Sequence, residues 1–362
     1  MCREVWHAQV NRFDRNMTNR ISLQHNESYW LLDDVLMKAY TADATAVFSR
    51  YPDYAELTEL LAEYVGVIRE NILVTSGSDA AVRLIAELEH ESGNKVLLPV
   101  PSFYGYEKIF SQIGLDFDTV SFTEEMGVFT FPLDAARTLI QSGAYSALFI
   151  CQPNNPLGSA LSEETINTLI TLCGNCGVRL IIDEAYFEFL GRTSVSEISQ
   201  QNIVILRTLS KSLGLAGARV GYVCANSAYL KLLSARMLPW SVAHPSVYAA
   251  VAGLRQIAHV RTRMEAVIHE RAVFLGALRQ VPGVHAYPSE TNFILSRVDN
   301  AQNVAAALKE KGIDVALCSW MSNDTDARAL LSDTIRMAVP SPSDRDRVIA
   351  TLEEAVAGTR QM

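Results

Sequence analysis

Six short apolar runs alternate with amphipathic segments between about Tyr54 and Ala225, and this alternation constrains the fold more than any other feature of the chain. Such alternation is typical of βαβ units, in which helices bury both faces of parallel strands. We therefore predict an α/β fold with a mainly parallel central sheet. The six runs are NILVTSG, NKVLLPVP, SALFICQP, VRLIIDEAY, NIVILRT and ARVGYVCA.

Small and polar residues stand at the ends of five of these runs. Ligands of open α/β sheets bind beyond the carboxyl ends of the strands, so residues at those ends are candidates for a functional site. We predict that the site is assembled from these segments. They are Ser76–Asp79, Pro101–Tyr104, Asn154–Gly158, Asp183–Tyr186 and Thr208–Lys211.

The pattern changes after the segment LLSARMLPWSVAHPSVYAAVAGLRQ. A long polar helix, VRTRMEAVIHERAVFLGALRQV, is followed by short strands and a closing helix, SDRDRVIATLEEAVAG. This change predicts a second, smaller α+β domain that the N-terminal segment completes. We expect a large domain of residues 45–245 and a small domain made of residues 1–44 and 246–362.

Composition and charge narrow the class of partner. The chain has 362 residues, of which 49% are hydrophobic, enough for a sizeable core. Its net charge of −9 disfavours nucleic acid or an anionic membrane as a partner and favours a small-molecule substrate. No apolar stretch approaches the roughly 20 residues that span a bilayer, and the N-terminus MCREVWHAQVNRFDRN is polar. We expect a cytoplasmic protein.

The cysteines give no sign of a disulfide framework or a metal site. There are six in the chain, which suits a reducing compartment. Cys173 and Cys176 have the spacing of a ligand pair, but the sequence offers no second pair, and EETINTLITLCGNCG is typical of a helix end. We expect no metal.

One lysine, Lys211, lies among small and hydroxylated residues in TLSKSLGLAGAR, directly after an apolar run. A lysine in so tight a neighbourhood is a poor candidate for a solvated surface charge. Lysines in perturbed surroundings serve as amine nucleophiles and form Schiff bases with carbonyl compounds. Lys211 is therefore the first candidate for a catalytic residue.

Taken together and in this order, the strand-end motifs resemble those of the class I/II aminotransferases. These enzymes bind pyridoxal 5′-phosphate (PLP) in the fold-type I architecture, and the resemblance is closest to the histidinol-phosphate aminotransferase branch. It covers nearly the whole chain. It implies PLP as the cofactor, with a protein that holds the cofactor, tunes its ring and selects the bond that breaks.

The resemblance assigns roles around the cofactor ring. Lys211 matches the Schiff-base lysine, which also moves a proton during the reaction, and Asp183 matches the carboxylate that keeps the pyridine nitrogen protonated. Tyr186 and Asn155 match the side chains that share the 3′-oxygen, and Phe103 matches the aromatic residue that stacks on the ring.

The resemblance also implies a phosphate cradle at the turn TSGSDAAVRLIAEL, because helix N-termini favour anions. Arg219 supplies positive charge. Tyr51 matches a tyrosine that the branch lends to the partner subunit's phosphate site, so a homodimer is expected. The other cradle residues are Gly77, Ser78, Asp79, Thr208 and Ser210.

For the substrate, the resemblance implies that Arg336 in TIRMAVP binds the α-carboxylate, with Asn155 and Glu27 nearby. The segment Asn26-Glu27 departs from the branch, because Ser28-Tyr29 follow where the branch has Asn-Pro.

A second departure concerns substrate specificity, because GIDVALCSW lacks the arginine with which the branch helps to bind a substrate phosphate. We therefore predict a side chain that is not a phosphate ester. Acidic residues at the mouth of the site, Glu27, Asp324 and Asp326, favour a cationic group, whereas Arg328 is a possible replacement for the missing charge.

Two other classes of function remain open. One is a different PLP reaction on the same scaffold: decarboxylation, or elimination or cyclisation of a basic amino acid such as an arginine derivative. The other is a non-catalytic PLP-fold protein such as a regulatory domain, which the retention of Lys211, Asp183, Asn155, Tyr186 and Arg219 disfavours. The motifs indicate the cofactor and leave the substrate, amino acceptor and pathway open.

Overall fold

A computed structural model describes residues 20–42 and 47–359 of the chain. Cys2, the polar N-terminus and part of the predicted N-terminal contribution to the small domain lie outside these ranges. In chain order the strands are β1 (Ile21–Ser22), β2 (Ile72–Thr75), β3 (Lys95–Val100), β4 (Phe117–Ser121), β5 (Thr123–Glu125), β6 (Val128–Thr130), β7 (Tyr145–Cys151), β8 (Arg179–Asp183), β9 (Ile203–Thr208), β10 (Gly221–Ala225), β11 (Val284–Ala286), β12 (Phe293–Val298), β13 (Ile313–Asp314), β14 (Ala316–Leu317) and β15 (Thr334–Ala338).

Helices cover both faces of the larger sheet and pack on the smaller one. They are α1 (Asp34–Thr41), α2 (Ala55–Val65), α3 (Gly77–Glu91), α4 (Gly105–Ile113), α5 (Leu133–Gln141), α6 (Glu163–Cys176), α7 (Phe187–Leu190), α8 (Ser227–Ser234), α9 (His244–Arg255), α10 (Ile257–Leu278), α11 (Ala301–Glu310), α12 (Thr325–Leu330) and α13 (Pro342–Thr359), with 3₁₀ turns at Tyr29–Leu31, Arg69–Asn71, Val195–Ser199 and Ala216–Ala218.

Within the described ranges, seven strands form the central sheet in the order β2-β10-β9-β8-β7-β3-β4. The strands from β9 to β4 are parallel, and β10 runs antiparallel to both of its neighbours. Each of the six apolar runs forms one of these strands, as predicted. Because the parallel strands end at the same edge, the segments after β3, β7, β8 and β9 converge there, together with the turn after β2.

A second sheet contains the later strands in the order β11-β12-β15-β14. The N-terminal segment joins this part of the molecule, because Ile21 and Ser22 pair with Ile313 and Asp314 in a parallel bridge. The Leu23 carbonyl also accepts a hydrogen bond of 2.8 Å from the Ala338 N–H. The domain boundaries stay a prediction, but these contacts fit an N-terminal segment that completes the smaller part.

Apolar side chains fill both faces of the central sheet. Alternate residues of β7 point to opposite sides, with Leu148 and Ile150 in one core and Ala147 and Phe149 in the other. The helix end predicted at Cys176 is confirmed, since α6 ends there and Gly177 adopts a φ of 67°. None of the helices in the described ranges combines the length and apolar character needed to cross a membrane.

Candidate active site

A cavity of about 300 Å³ opens at the carboxyl edge of the central sheet. All five predicted strand-end segments contribute to its wall, and Arg336 reaches it from β15 in the smaller sheet. The predicted site residues that line it are Glu27, Ser78, Asp79, Phe103, Asn155, Asp183, Tyr186, Thr208, Ser210, Lys211, Arg219 and Arg336. Of the predicted site residues that the structure describes, Gly77 and Tyr51 do not line it.

Lys211 stands in the loop after β9, with its amine directed into the cavity. Its Nζ donates a hydrogen bond of 2.9 Å to the His25 carbonyl. Burial and the nearby guanidinium of Arg336 lower the pKa of Lys211 to about 8. The neutral, nucleophilic amine is therefore more populated near neutral pH than in an ordinary lysine.

Asp183 ends β8 and lies at the base of the cavity, where it is 4% exposed. One carboxyl oxygen accepts a hydrogen bond of 2.6 Å from the Tyr106 hydroxyl, and the other accepts one of 3.0 Å from the Ala185 N–H. Burial raises the pKa of Asp183 to about 6, although both hydrogen bonds oppose the shift. A cationic ring N–H brought to this carboxylate would stabilise its charge.

Tyr186 presents its hydroxyl to two amide side chains. Asn26 Nδ2 donates to it at 3.0 Å and Asn155 Nδ2 at 3.4 Å. Asn26 adopts a φ of 55°, a left-handed conformation that asparagine tolerates better than most residues. The three polar groups meet in one buried corner of the cavity, where they suit an oxygen substituent on an aromatic ring.

The turn between β2 and α3 forms a cradle against Arg219. Gly77 has a φ of 77°, and a Cβ at this position would stand 2.7 Å from Arg219 Nη2. A Cβ on Gly221 would collide with the backbone of Gly77 and Ser78. Both glycines therefore allow the helix N-terminus and the guanidinium to face the same space, an arrangement suited to a phosphate.

Hydroxyl groups complete this cradle from the Lys211 loop. The Ser210 N–H donates to Thr208 Oγ1 at 3.1 Å, and Arg219 Nη1 donates to Ser210 Oγ at 3.3 Å. The carboxylate of Asp79 pairs with Arg219 Nη2 at 3.2 Å. Asp79 thus orients the guanidinium, while its own backbone lies in the first turn of α3, where N–H groups are free for an anion.

Phe103 forms an aromatic wall of the cavity. A Cβ on Gly105 would overlap its ring, so the glycine makes room for this side chain. Tyr104 and Tyr106 contact Phe103 edge to face, with centroid distances of 5.1 and 5.4 Å. The ring is held in one place and can cover a flat heterocycle.

Arg336 carries a buried charge that lacks an ionic partner among the described residues. It is 6% exposed and donates to Asn155 Oδ1 and to the Gln24 carbonyl, the latter at 2.7 Å. Its Nε atom is buried and finds no hydrogen-bond partner within residues 20–42 and 47–359. A buried guanidinium in this state favours an incoming anion such as a carboxylate.

A second cavity of about 440 Å³, here called the side compartment, adjoins the first. The two share His25, Tyr104 and Arg336, and the side compartment continues toward α11 and the strands β13 and β14. Its wall is formed by Gln24, His25, Tyr104, Gln302, Ala305, Ala306, Lys309, Asp314, Val315, Ala316, Leu317, Trp320, Met321 and Arg336.

The expectation that acidic residues of the loop before β15 approach the site is wrong. Asp324 caps α12 through the Ala327 N–H and accepts hydrogen bonds from Thr119 and Ser121 on β4, at 2.7 and 3.0 Å. These long-range contacts hold it away from both cavities. Asp326 and Arg328 lie on the exposed side of α12 and line neither cavity, so of the three acidic residues predicted at the mouth only Glu27 lines the site.

Several residues of the site carried no signal in the sequence. Tyr106 lies in α4 and reaches Asp183, while the His25 carbonyl receives the Lys211 amine. Tyr104 and His25 separate the two cavities. Single residues in loops and at helix starts have no periodicity, although the aromatic density of SFYGY beside a strand end is a weak indication.

The donor set fits PLP by chemistry. The cavity offers an amine for the aldehyde, a buried carboxylate for the ring nitrogen, and amide and phenol groups for the ring oxygen. The glycine turn, which a Cβ would fill, supplies the phosphate cradle. Among the described residues no group of three or more His, Cys, Asp or Glu side chains is placed to hold a metal ion.

Comparison with known proteins gives consistent matches over most of the chain. The family described as "Aminotransferase class I and II" matches residues 18–351. A histidinol-phosphate aminotransferase of Caldanaerobacter subterraneus subsp. tengcongensis is 33% identical over 347 residues, covering 94% of this chain and 95% of the relative.

Solved structures show the same fold. The histidinol-phosphate aminotransferase of Sinorhizobium meliloti in complex with pyridoxal-5′-phosphate superposes with a TM-score of 0.82 at 20% identity, over 94% of this chain and 91% of that one. The L-threonine-O-3-phosphate decarboxylase of Porphyromonas gingivalis superposes with a TM-score of 0.77 at 23% identity, over 92% and 98%. Proteins named for two different reactions therefore share this architecture.

Proposed function

Because the chain belongs to the class I and II aminotransferase family, we propose that it transfers the amino group of an α-amino acid whose side chain is not a phosphate ester. The enzyme depends on PLP, and the predicted α/β architecture of fold type I is confirmed. The proposal concerns the substrate and the roles of individual residues.

The observation that carries the proposal is the position of Arg336. Its buried guanidinium lines the same cavity as the Lys211 amine and the Asp183 carboxylate. A carboxylate bound by Arg336 would bring the α-carbon of an amino acid toward Lys211. A two-pronged hydrogen bond to a carboxylate is the geometry that a guanidinium favours.

The residues of the chain divide the work of the reaction. Bound PLP supplies an electron sink for the substrate α-carbon. Asp183 holds the proton on the ring nitrogen, and Asn155 and Tyr186 hold the ring oxygen. Arg219 and the N-terminus of α3 bind the phosphate. The Lys211 amine would act as the base that accepts the proton from the substrate α-carbon and as the acid that donates it to the cofactor carbon, rather than back to the α-carbon.

The side compartment supports a substrate without a phosphate ester. Among the described residues that line it, Lys309 is the only lysine or arginine apart from Arg336, and Lys309 is exposed. Asp314, on the same wall, pairs with Arg20 at 2.7 Å. The remaining wall toward β14 is apolar. A single exposed ammonium on a wall that also carries a carboxylate is a weak site for a dianion.

The curated relatives named as histidinol-phosphate aminotransferases suggest the opposite specificity. Histidinol phosphate has a phosphate ester and no carboxylate. Its phosphate would therefore have to bind Arg336 in place of the α-carboxylate of an amino acid. The lining of the side compartment favours an α-amino acid, and histidinol phosphate is the substrate to test against it.

We also propose a homodimer in which Tyr51 serves the partner's site. Tyr51 is 76% exposed and stacks on Trp240 with a centroid distance of 4.4 Å. Phe48 and Leu238, on the same two segments, are also exposed, at 75% and 78%. Large apolar side chains exposed together are typical of protein interfaces.

Product analysis tests the reaction type. The purified holoenzyme is incubated with α-amino acids and 2-oxoglutarate, and glutamate, CO₂ and ammonia are measured. We expect glutamate in proportion to the amino acid consumed, and no turnover in Lys211→Ala. Release of CO₂ or ammonia in place of glutamate would instead indicate decarboxylation or elimination on this scaffold.

A further inference from the structure

Glu188 is a buried acid outside the cavity that contacts the segment carrying Lys211. It lies in α7, two residues after Tyr186, and its Oε1 atom accepts hydrogen bonds from Ser212 Oγ at 2.7 Å and from the Tyr64 hydroxyl at 3.2 Å. Part of the residue is exposed, but Oε2 is shielded from solvent and has no hydrogen-bond partner in the part of the chain that the structure describes.

Ser212 is fully buried and directly follows Lys211. The hydrogen bond from Ser212 therefore joins the chain segment that carries the amine to the segment that carries Tyr186. Backbone hydrogen bonds hold the two ends of this loop, from the Leu209 N–H to the Val220 carbonyl at 3.0 Å and from the Leu215 N–H to the Leu209 carbonyl at 3.3 Å, but the one at Lys211 itself, from the Gly214 N–H to its carbonyl, is long, at 3.4 Å. The Glu188 carboxyl is thus a main side-chain anchor for the position of Lys211.

The surroundings of Glu188 make it unfavourable to keep a charged carboxylate there for structure alone. Burial raises the pKa of its carboxyl to about 7. The charged and titratable groups that face it are Tyr64 on α2, Arg207 on β9 and Tyr222 on β10. Arg207 pairs with Glu184 at 2.8 Å, and among the described residues Glu188 forms no ion pair of its own. Acids kept in such places are typical of functional sites.

We propose that Glu188 is a positioning residue, which holds the Lys211 amine in register with the cofactor ring through the Ser212 hydroxyl. The inference rests on the proposed role of Lys211. Proton transfer at the α-carbon requires the amine within hydrogen-bond reach of it, and a displacement of about 1 Å costs up to 10²-fold in rate.

The test compares two variants, each of which removes one of the two hydroxyl groups that donate a hydrogen bond to Glu188 Oε1. Ser212→Ala breaks the link to Lys211, whereas the matched control Tyr64→Phe breaks only the link to α2. We expect kcat to fall about 10- to 100-fold in Ser212→Ala and in Glu188→Ala, with KM and cofactor content retained. Tyr64→Phe should keep kcat close to that of the unaltered protein.

A double variant then separates positioning from general damage. If Glu188 acts through Ser212, then Glu188→Ala with Ser212→Ala should lose no more than the worse single variant. Multiplicative losses, or equal losses in Tyr64→Phe, would overturn the proposal. So would normal kcat in Ser212→Ala.

A second measurement needs no substrate, so it holds even if the proposed substrate class is wrong. The visible absorbance of the bound cofactor is titrated with pH in each variant. Displacement of Lys211 should shift the midpoint in Ser212→Ala and in Glu188→Gln, and leave it unchanged in Tyr64→Phe. An identical midpoint in all three would contradict the inference, whatever the enzyme transaminates.

Discussion

At the scale of single residues, the chemistry depends on charges that the fold holds out of water. The pKa values of Lys211 and Asp183 shift in opposite directions, because burial lowers the pKa of the amine and raises that of the carboxyl. Both shifts favour neutral groups in the cofactor-free protein. PLP would offer its aldehyde to the Lys211 amine and a protonated ring nitrogen to the Asp183 carboxylate, so each group would gain a partner in the holoenzyme.

Asp183 gives a prediction with a defined pH dependence. Because the pKa is raised, the stability that the neutral carboxyl contributes is present at acid pH and is lost as pH rises through about 6. The affinity for PLP should change in the opposite sense and increase through about pH 6, because the ring nitrogen requires the carboxylate.

Asp183→Asn should bind PLP more weakly above this pH by about 1.5–3 kcal/mol, the typical contribution of a charged hydrogen bond. Its turnover should fall severely while its fold is kept. Fluorescence titration of cofactor-free protein across the pH range measures the affinity. The cofactor phosphate titrates in both proteins, so their difference isolates Asp183. If the affinity for PLP depends on pH in the same way in both proteins, the ring nitrogen does not bind Asp183.

At the scale of elements, the start of α3 is the part of the phosphate cradle that a single substitution should disturb most. Gly77→Ala should weaken PLP binding, because the new Cβ would stand 2.7 Å from Arg219 Nη2 and displace the guanidinium. Gly66→Ala is the matched control: Gly66 also has a positive φ, 82°, but no atom lies within 4 Å of a Cβ there.

Both alanines at positive φ should cost about 1–2 kcal/mol of stability in thermal or denaturant unfolding. Only Gly77→Ala should also lose cofactor affinity. If the two variants retain PLP equally, the turn before α3 does not bind the phosphate.

The elements also show what the sequence could and could not predict. Strands buried on both faces are apolar throughout, so six of the seven strands of the central sheet were recognisable. The edge strand β4, FDTVS, is mostly half-buried and contains polar residues, so it lacks the apolar run by which the other strands were recognised. The direction of β10 was also invisible, because a buried run is equally apolar when it runs antiparallel.

The same distinction applies to the site. Residues at strand ends were recognisable because the sheet brings those ends together. The role of Asp324 was not, since it is set by contacts with Thr119 and Ser121, more than 200 residues away in sequence. Glu188 and Tyr106 likewise act across elements, and nothing in their local sequence indicates their partners.

At the scale of the whole molecule, the proposed dimer determines whether a site is complete. We expect a homodimer with two shared sites. A hybrid of a Tyr51→Phe chain with a Lys211→Ala chain should contain one site with both defects and one site with neither. Such mixtures should therefore regain activity above that of either parent.

Sedimentation with activity assays on reassembled mixtures measures this recovery. An active monomer at assay concentration would contradict the shared site. Mixtures no more active than the average of their parents would also contradict it, because they would indicate that Tyr51 contributes to the active site of its own subunit.

The most direct test of the central claim is a comparison of kcat/KM for α-amino acids and for histidinol phosphate with 2-oxoglutarate as acceptor. A neutral or basic α-amino acid should be the better substrate, because the described wall of the side compartment offers a phosphate only one exposed lysine besides Arg336. Arg336→Lys should reduce kcat/KM for that amino acid by about 10- to 100-fold, as expected for loss of a paired carboxylate contact. Preference for histidinol phosphate over every α-amino acid would contradict the account.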